Sequence, residues 1–182
     1  GGLKEELAGF KEALTEKAER LSKKRGQVAK KIEPLIEAEL SKLSMPDTKF
    51  SINFSRETGD DTTDGLKARQ NGIDSIEFLI SPNIGEELKP LSKIASGGEL
   101  SRVMLALKGT LSKGDKISVL VFDEIDAGIG GIAADAVGQR LKNLSASHQV
   151  ICITHLPQIA SYADRHLKIE KRVKGKRTVV EI

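Results

Sequence analysis

Two apolar segments of the sequence end in titratable residues whose types and positions could do chemistry. One segment runs directly into Asp123 and Glu124, and the other runs into Thr154 and His155. A carboxylate such as Asp123 at the end of a strand can hold a magnesium ion or its water shell. A second carboxylate beside it, Glu124, can orient or deprotonate a water molecule. The simpler explanation is that an acidic pair only begins the loop after a strand.

A third candidate site is a glycine pair at the start of a predicted helix, in the sequence Ser96-Gly97-Gly98-Glu99. A serine followed three residues later by a glutamate is a helix capping box, which explains part of this sequence without any function. A cap does not need two glycines, however. Glycines leave the backbone N–H groups bare, so an anion such as a phosphate could approach them and the positive end of the helix dipole.

The elements that must position these residues follow from the second half of the sequence, where helices and strands alternate. This order predicts a parallel α/β sheet joined by right-handed crossovers. The predicted elements are a helix over 98–112, a strand over 117–122, a helix over 132–144, a strand over 149–153 and a short helix over 156–163. Because residues 117–122 are almost entirely apolar, we expect this strand to be buried on both faces. Ligands bind beyond the carboxyl ends of such strands, so both titratable pairs would lie at one edge.

The first 44 residues are typical of one long helix. Apolar residues recur at spacings of three, four or seven from Leu3 to Leu35, with mostly charged residues between them. A helix of this length measures about 60 Å, which is more than the rest of the chain could cover, so the pattern predicts a coiled-coil arm that needs a partner strand. A plain amphipathic helix packed on a globular core is the alternative. Pro34 is expected to kink or restart the helix, and residues 44–47 to end it.

Strand patterns occur on both sides of this α/β region. The predicted elements are strands over 50–54, 76–80, 167–169 and 179–180, a polar connection over 59–72 and a turn over 174–176. Residues 165–182 carry seven Lys or Arg against two acidic residues. This basic end is either a patch that contacts DNA phosphates or a solvated hairpin whose lysines protect a sheet edge.

Composition excludes several classes of protein. The 182 residues are 38% hydrophobic and 30% charged, which is typical of a globular chain. A net charge of +3 does not by itself indicate a nucleic-acid binder, and 3% aromatic residues leave too little for a base-stacking platform. The single cysteine, Cys152, excludes an internal disulfide framework. No apolar stretch approaches the roughly 20 residues of a membrane span, and the charged first 25 residues are unlike a signal peptide.

Taken in order, the three motifs resemble those of a known class of ATPase. The class is the ATP-binding-cassette (ABC) type ATPase, and Ser96–Arg102 resembles its signature motif. The strand closed by Asp123-Glu124 resembles its Walker B strand. The strand closed by Thr154-His155 resembles its switch-histidine strand. A long coiled-coil helix entering the lobe narrows the resemblance to the SMC-like branch, whose heads sit at the ends of antiparallel coiled coils.

The residues within and around the motifs narrow the resemblance to one family. Residues 93–102, 121–129 and 153–160 resemble the RecN family, bacterial SMC-like proteins of DNA double-strand-break repair, and the resemblance is close over 76–164. It implies an α/β fold, namely the C-terminal lobe of an ABC/SMC-type P-loop ATPase head with a parallel central sheet, plus a long N-terminal coiled-coil helix. The implied division is the arm over 3–46 and the lobe over 47–182, and we interpret Gly1-Gly2, which lacks a Met, as a cloning remnant over 1–2.

The resemblance also implies function and partners. The full-length protein would be an ATPase that uses ATP and Mg²⁺ in DNA repair and recombination after DNA damage, in the bacterial cytoplasm and associated with the nucleoid. Its partners would be the N-terminal lobe of the same protein, a second copy joined through ATP-sandwiched heads, and DNA, with no membrane.

For single residues, the resemblance implies two catalytic groups and a metal contact. Glu124 would position the attacking water, His155 would contact the γ-phosphate, and Asp123 would hold Mg²⁺ through water. The residues that would bind the nucleotide on the other subunit are Ser96, Gly97, Gly98 and Glu99. Gly130 departs from the pattern, since many cassette ATPases carry Asp six residues after the catalytic Glu. Asp126 is therefore a candidate for the group that links the two sites across the dimer.

A phosphate loop of the form Gly-x-x-x-x-Gly-Lys-Ser/Thr is missing from the sequence. The most similar stretch, Gly109–Lys116, has Asp115 after its second glycine, and we interpret it as a helix C-cap. We therefore expect the chain to be a C-terminal piece that does not hydrolyse ATP alone. Two alternatives remain open. One is a coiled-coil interaction module with no ATPase role, and the other is a self-sufficient hydrolase that uses Gly109–Lys116.

Overall fold

The structure is a computed structural model that describes residues 2–111, 117–174 and 177–181. Its elements in chain order are α1 (Gly2–Lys42), β1 (Lys49–Arg56), β2 (Asp74–Ser81), β3 (Lys89–Pro90), a 3₁₀ turn (Leu91–Lys93), α2 (Gly97–Leu111), β4 (Val119–Phe122), α3 (Gly131–Leu144), β5 (Gln149–Cys152), α4 (Pro157–Ala160), β6 (Glu170–Lys174) and β7 (Arg177–Glu181). The predicted turn over 174–176 and the last part of Gly109–Lys116 fall outside the described residues.

Helix α1 is continuous, and Pro34 lies inside it without restarting it, so that part of the prediction is wrong. A proline costs one backbone hydrogen bond, but the turn that follows it buries Ile36 and Leu40 completely, and this burial offsets the loss. The helix ends where the sequence predicts. Ser44 takes a left-handed backbone with φ of 63°, and the N–H groups of Leu43 and Met45 both donate to the carbonyl of Leu40.

The chain covers α1 over more of its length than the sequence analysis expects. Ala18, Ala29, Ile36 and Leu40 are buried, so from Ala18 onward one face of the helix packs on the rest of the chain. The apolar side chains of the first four turns are open to solvent, and Leu3 is 84% exposed. The expectation of an uncovered arm therefore holds only for this N-terminal part.

Strand β1 is the outer strand of the antiparallel sheet β1-β2-β3, and helix α1 caps its free edge. The Phe50 N–H donates to Glu37 Oε1 at 3.0 Å, and the Ile52 N–H donates to Glu33 Oε1 at 2.8 Å. The spacing of the two acceptors matches the spacing of the two donors. Glu33 and Glu37 are four residues apart on the helix, which is a rise of about 6 Å, and Phe50 and Ile52 are two residues apart on the strand, which is about 6.6 Å. Two carboxylates thus replace the missing neighbour strand and protect the edge.

Strands β4 and β5 form the parallel pair that the sequence predicts, with Phe122 opposite Cys152, and helix α3 connects them. The prediction that this sheet is buried on both faces is wrong. Leu120 and Phe122 point into the core, but the alternate side chains point outward, and Val121 is 63% exposed. Within the described residues, packing covers only the face towards α2 and α3, so the other face presents Val119, Val121, Ile151 and Ile153 to solvent.

The last elements differ in extent from the predictions. Helix α4 is confined to Pro157–Ala160, and the strand predicted over 167–169 begins later, at Glu170. The next strand, β7, pairs with β6 antiparallel as a separate two-stranded sheet. None of the helices in the described ranges is both long enough and apolar enough to cross a bilayer.

We expect the Asp74→Ala substitution to destabilise the contact between α1 and the antiparallel sheet. The Asp74 side chain is 1% exposed, accepts a hydrogen bond from Ser22 Oγ at 2.7 Å and pairs with Arg25 Nη1 at 3.2 Å. Its removal leaves Ser22 without this acceptor, whereas Arg25 can reach water, so we expect a loss of about 1–3 kcal/mol. Urea unfolding would measure it. Substitution of the exposed Asp47 by Ala is the control, and an equal effect of both changes would contradict the assignment.

Candidate functional site

The two titratable pairs leave the parallel sheet at the same edge, as the sequence predicts. Strands β4 and β5 run in the same direction and in register, and the Ile153 N–H still donates to the Phe122 carbonyl at 2.9 Å beyond the last strand pair. Asp123 and Glu124 therefore emerge next to the residues that follow Ile153.

The start of helix α2 lies at this same edge. Ser96 is its N-cap, because Ser96 Oγ accepts a hydrogen bond from the Glu99 N–H at 3.3 Å, as the capping box predicts. Ser101 Oγ, one turn further on, donates to the carbonyl of Asp123 at 2.6 Å. The motif Ser96–Arg102 thus meets the segment that follows β4, and the structure brings all three motifs of the sequence together.

The glycine pair has a packing role that the sequence analysis did not identify. Gly98 is buried, and a Cβ atom there would come within 2.8 Å of Ala127 Cβ and 2.9 Å of the Glu124 carbonyl oxygen. Gly97 is exposed, and a Cβ atom there would meet Glu124 Oε2 at 2.3 Å. The pair therefore lets α2 approach the segment 123–127, and only Gly97 remains open towards solvent.

Glu124 has an unusual backbone conformation. Its φ is 56°, in the left-handed region that costs a residue other than glycine about 1 kcal/mol or more. Two hydrogen bonds hold the turn, since the Glu124 N–H donates to Asp123 Oδ1 and the Ala127 N–H donates to the Glu124 carbonyl, both at 2.9 Å. Both carboxylates remain exposed at the rim of the sheet. Backbone strain of this kind at a candidate catalytic residue fits a site in which geometry is imposed by function.

Arg102 is a residue of this site whose contacts the sequence analysis missed. It is buried on α2, and its Nη1 donates to the carbonyls of Ala127 at 2.9 Å and Ile125 at 3.4 Å. Its buried Nε has no hydrogen-bond partner. Burial lowers the pKa of Arg102, although Glu99 nearby raises it, and an arginine stays charged in proteins. Its spacing of four residues from Gly98 places both on one helix face, which is the signal that could have identified it.

Asp126 connects the end of β4 to the end of β5. Its side chain is 6% exposed, and its Oδ2 accepts hydrogen bonds from the Thr154 hydroxyl and from the His155 N–H at 2.9 Å. His155 Nδ1 lies 3.0 Å from the same oxygen. Burial raises the pKa of Asp126, but the hydrogen bonds from Thr154 and His155 outweigh it and lower the pKa overall. Asp126 therefore faces inward, towards its own chain, and its candidate role across a dimer stays a prediction.

The backbone does not require glycine at position 130. Gly130 precedes α3 with a φ of −167°, which any residue can adopt, and a Cβ atom there would meet nothing within 4 Å. The departure from the cassette pattern at this position is therefore not explained by local packing.

The described residues contain no group of three or more His, Cys, Asp or Glu that could hold a metal ion by themselves. Asp123 fits a more limited role, because its carboxylate is exposed and Mg²⁺ keeps several waters while binding one or two carboxylates and substrate phosphates. Beyond Asp123, the oxygen atoms around such an ion would have to come from water, nucleotide or another segment.

Cys152 lies beneath this site on β5. Burial, together with the charges of Asp126 and Asp123, raises the pKa of the Cys152 thiol from 9.0 to about 11. The thiolate is the reactive form, so we expect this cysteine to react slowly at neutral pH while the lobe is folded.

Comparisons with known proteins give two kinds of relatives, although no model of a protein family matches the chain. The chain is 45% identical to the DNA repair protein RecN of Treponema pallidum over 184 aligned residues. This alignment covers 95% of this chain and 32% of that protein. It is 40% identical over 187 residues to the DNA repair protein RecN of Bacillus subtilis, covering 99% of this chain and 32% of that protein. The chain thus spans about a third of the length of these relatives.

Solved structures show the fold. The chain is similar to the Smc head domain with an extended coiled coil from Pyrococcus furiosus, with a TM-score of 0.52 and 23% identity over 86% of this chain and 35% of that chain. The Smc head domain with a coiled coil and joint from Pyrococcus yayanosii also gives a TM-score of 0.52, at 22% identity over 86% of this chain and 27% of that chain.

The fold defines the class of structure, which is part of an Smc-type head domain with a long helix attached. The identities above then give the relatives by name. Over nearly all of its length, this chain is a sequence relative of the DNA repair protein RecN.

We expect the Gly98→Ala substitution to separate α2 from the segment 123–127. The added methyl would overlap Ala127 and the Glu124 carbonyl, and overpacking of this kind costs about 1–3 kcal/mol. Gly109 is the matched control in the same helix, because a Cβ atom there meets nothing within 4 Å, so Gly109→Ala should stabilise by about 0.5–1 kcal/mol. Thermal unfolding would measure both changes. Equal melting temperatures for the two variants would contradict the packing role of Gly98.

We also expect Cys152 to react slowly with iodoacetamide. Because its pKa is about 11 in the folded lobe, the thiolate at neutral pH is about a hundredfold rarer than for a thiol with a pKa of 9.0. Labelling followed by mass spectrometry should therefore be fast in denaturant and slow without it. As the pH rises towards 11, labelling of the folded chain should accelerate, and rapid labelling at neutral pH would contradict this environment.

Proposed function

We propose that this chain supplies one half of a composite ATPase site in a RecN-like protein. The N-terminal lobe of the same protein would supply the phosphate loop, and a second head would complete the site by binding over the nucleotide. The observation that carries this proposal is the convergence of three motifs at one sheet edge: the capped start of α2, the exposed pair Asp123 and Glu124, and His155.

The proposed chemistry assigns one role to each group at the end of β4. Glu124 orients the attacking water and accepts its proton, since its carboxylate is exposed and its backbone is held in a fixed turn. Asp123 would hold Mg²⁺ through water, and the ion would neutralise charge on the ATP phosphates. His155 contacts the γ-phosphate, and its ring is exposed while its backbone N–H is anchored to Asp126.

The start of α2 is assigned to the ATP of the other head. Ser96, Gly97, Gly98 and Glu99 lie at the N-terminus of a 15-residue helix, where the helix dipole favours an anion. Gly97 is the exposed member of the glycine pair, so its backbone is the part that a phosphate can approach. Under this proposal hydrolysis depends on dimerisation through ATP-sandwiched heads.

Two apolar surfaces support an incomplete head. The outer face of the β4-β5 sheet presents Val121 and Ile153, and the first turns of α1 present Leu3, Leu7 and Phe10. We assign the first surface to the N-terminal lobe and the second to an antiparallel partner helix of the arm. Because the relatives are DNA repair proteins, we further propose that the whole protein acts on DNA in double-strand-break repair and recombination, in the bacterial cytoplasm at the nucleoid.

The Glu124→Gln substitution tests the proposal in the full-length protein. The amide cannot accept a proton, so we expect ATP turnover to fall about a hundredfold or more while ATP binding persists. Phosphate release measures turnover, and a fluorescent nucleotide measures binding. Glu77→Gln is the control, because Glu77 is exposed on β2, away from the site. Normal turnover of the Glu124 variant would overturn the assignment.

The chain alone separates the alternatives. We expect it neither to bind ATP tightly nor to hydrolyse it, because it contains no phosphate loop. Tight binding in calorimetry would favour a self-sufficient hydrolase that uses Gly109–Lys116. Full-length protein that neither hydrolyses ATP nor dimerises with it would favour a coiled-coil interaction module instead.

A further inference from the structure

We propose that Asp126 is a positioning residue that fixes the tautomer and orientation of the His155 ring. The consequence of this role for ATP hydrolysis rests on the function proposed above. The tautomer itself is a property of this chain and does not depend on that function.

The contacts of Asp126 are concentrated on one oxygen atom. Oδ2 accepts a hydrogen bond from the Thr154 hydroxyl and one from the His155 N–H at 2.9 Å, and it lies 3.0 Å from His155 Nδ1. Two of the three groups belong to the same histidine, one from its backbone and one from its ring. The backbone bond fixes the place of the residue, and the ring contact then fixes its rotation.

An ionised carboxylate can only accept hydrogen bonds, so a ring nitrogen in contact with it must carry the hydrogen atom. Asp126 therefore selects the form of His155 with hydrogen on Nδ1. The remaining nitrogen, Nε2, belongs to a ring whose side chain is 76% exposed. In this form Nε2 carries no hydrogen, so it is the nitrogen left to accept a hydrogen bond from a water molecule or from a protonated phosphate oxygen. A buried aspartate that orients a histidine in this way is a recurring device in enzymes.

The support of Asp126 itself comes from helix α2. Arg102 Nη1 donates to the carbonyls of Ile125 and Ala127, the two residues on either side of Asp126. Ile125 is fully buried, so the backbone at Asp126 is held from both sides.

The other partner, Thr154, is also fixed. Its hydroxyl donates to Asp126 and accepts a hydrogen bond from the Leu156 N–H at 3.1 Å. The hydroxyl thus has one defined orientation and closes the turn that leads into α4. A carboxylate with this set of partners has little freedom, which is what a positioning residue requires.

Long-range ¹H–¹⁵N correlation spectra of the ¹⁵N-labelled chain, recorded with the imidazole ring neutral, test the tautomer directly. In the wild type we expect the shifts of a protonated Nδ1 and an unprotonated Nε2. Asp126→Ala should move the ring to the Nε2–H form that prevails for free imidazole side chains, whereas Asp126→Asn should keep Nδ1–H through its amide oxygen. Asp135→Ala is the control, because Asp135 is an exposed carboxylate bonded to Tyr162.

Two results would overturn the proposal. One is a wild-type ring with hydrogen on Nε2, and the other is a folded Asp126→Ala chain that keeps hydrogen on Nδ1. The wild-type spectrum decides the matter by itself if the alanine variant does not fold.

Turnover of the full-length protein tests the consequence. We expect Asp126→Ala and His155→Ala to lower kcat by similar factors and the double variant to be no slower than either, because both act through one ring. Asp126→Asn should recover most of the activity. Additive losses would overturn the assignment. If Glu124→Gln had no effect, the ATPase proposal would fail, while the tautomer result would stand.

Discussion

The close approach of helix α2 to the segment that follows β4 is the contact on which the candidate site depends. It is possible only because Gly98 has no side chain, and the Arg102 guanidinium and the Ser101 hydroxyl hold the same segment from the next turn of the helix. A wider separation would break the contacts that Ser101 and Arg102 make with the segment carrying Glu124 and Asp126. One helix terminus therefore determines the geometry of groups that belong to a different element.

The parallel strands β4 and β5 extend this contact to the residues that follow β5. Because the two strands end together, Asp126 after one strand reaches Thr154 and His155 after the other. The network is continuous from α2 to the segment 123–127 and from there to the loop before α4. Among the described residues, this network contains hydrogen bonds to the Asp126 carboxylate and hydrogen bonds to backbone carbonyls. It lies next to the core residues Phe122 and Ile125.

Much of this arrangement could be predicted from the sequence, because its causes are local. The apolar strands, the capping box at Ser96 and the turn after residue 43 all have short signals, and the order of elements predicts the shared edge. Burial of both sheet faces was predicted wrongly because an apolar strand looks the same whether its partner lies in this chain or elsewhere. The spacing from Gly98 could have placed Arg102 on the buried face of α2. Its contacts and those of Asp126 were not predictable, because they are made with residues more than twenty positions away in the sequence.

The paired hydrogen bonds between α1 and the edge of β1 have a mechanical consequence. Glu33 and Glu37 bind Ile52 and Phe50 in reverse order, so the helix and the strand run antiparallel along a common line. A pull along the arm would load both bonds together, in shear, instead of opening them one after the other as in peeling. The arm is thus coupled stiffly to the lobe for tension along its axis.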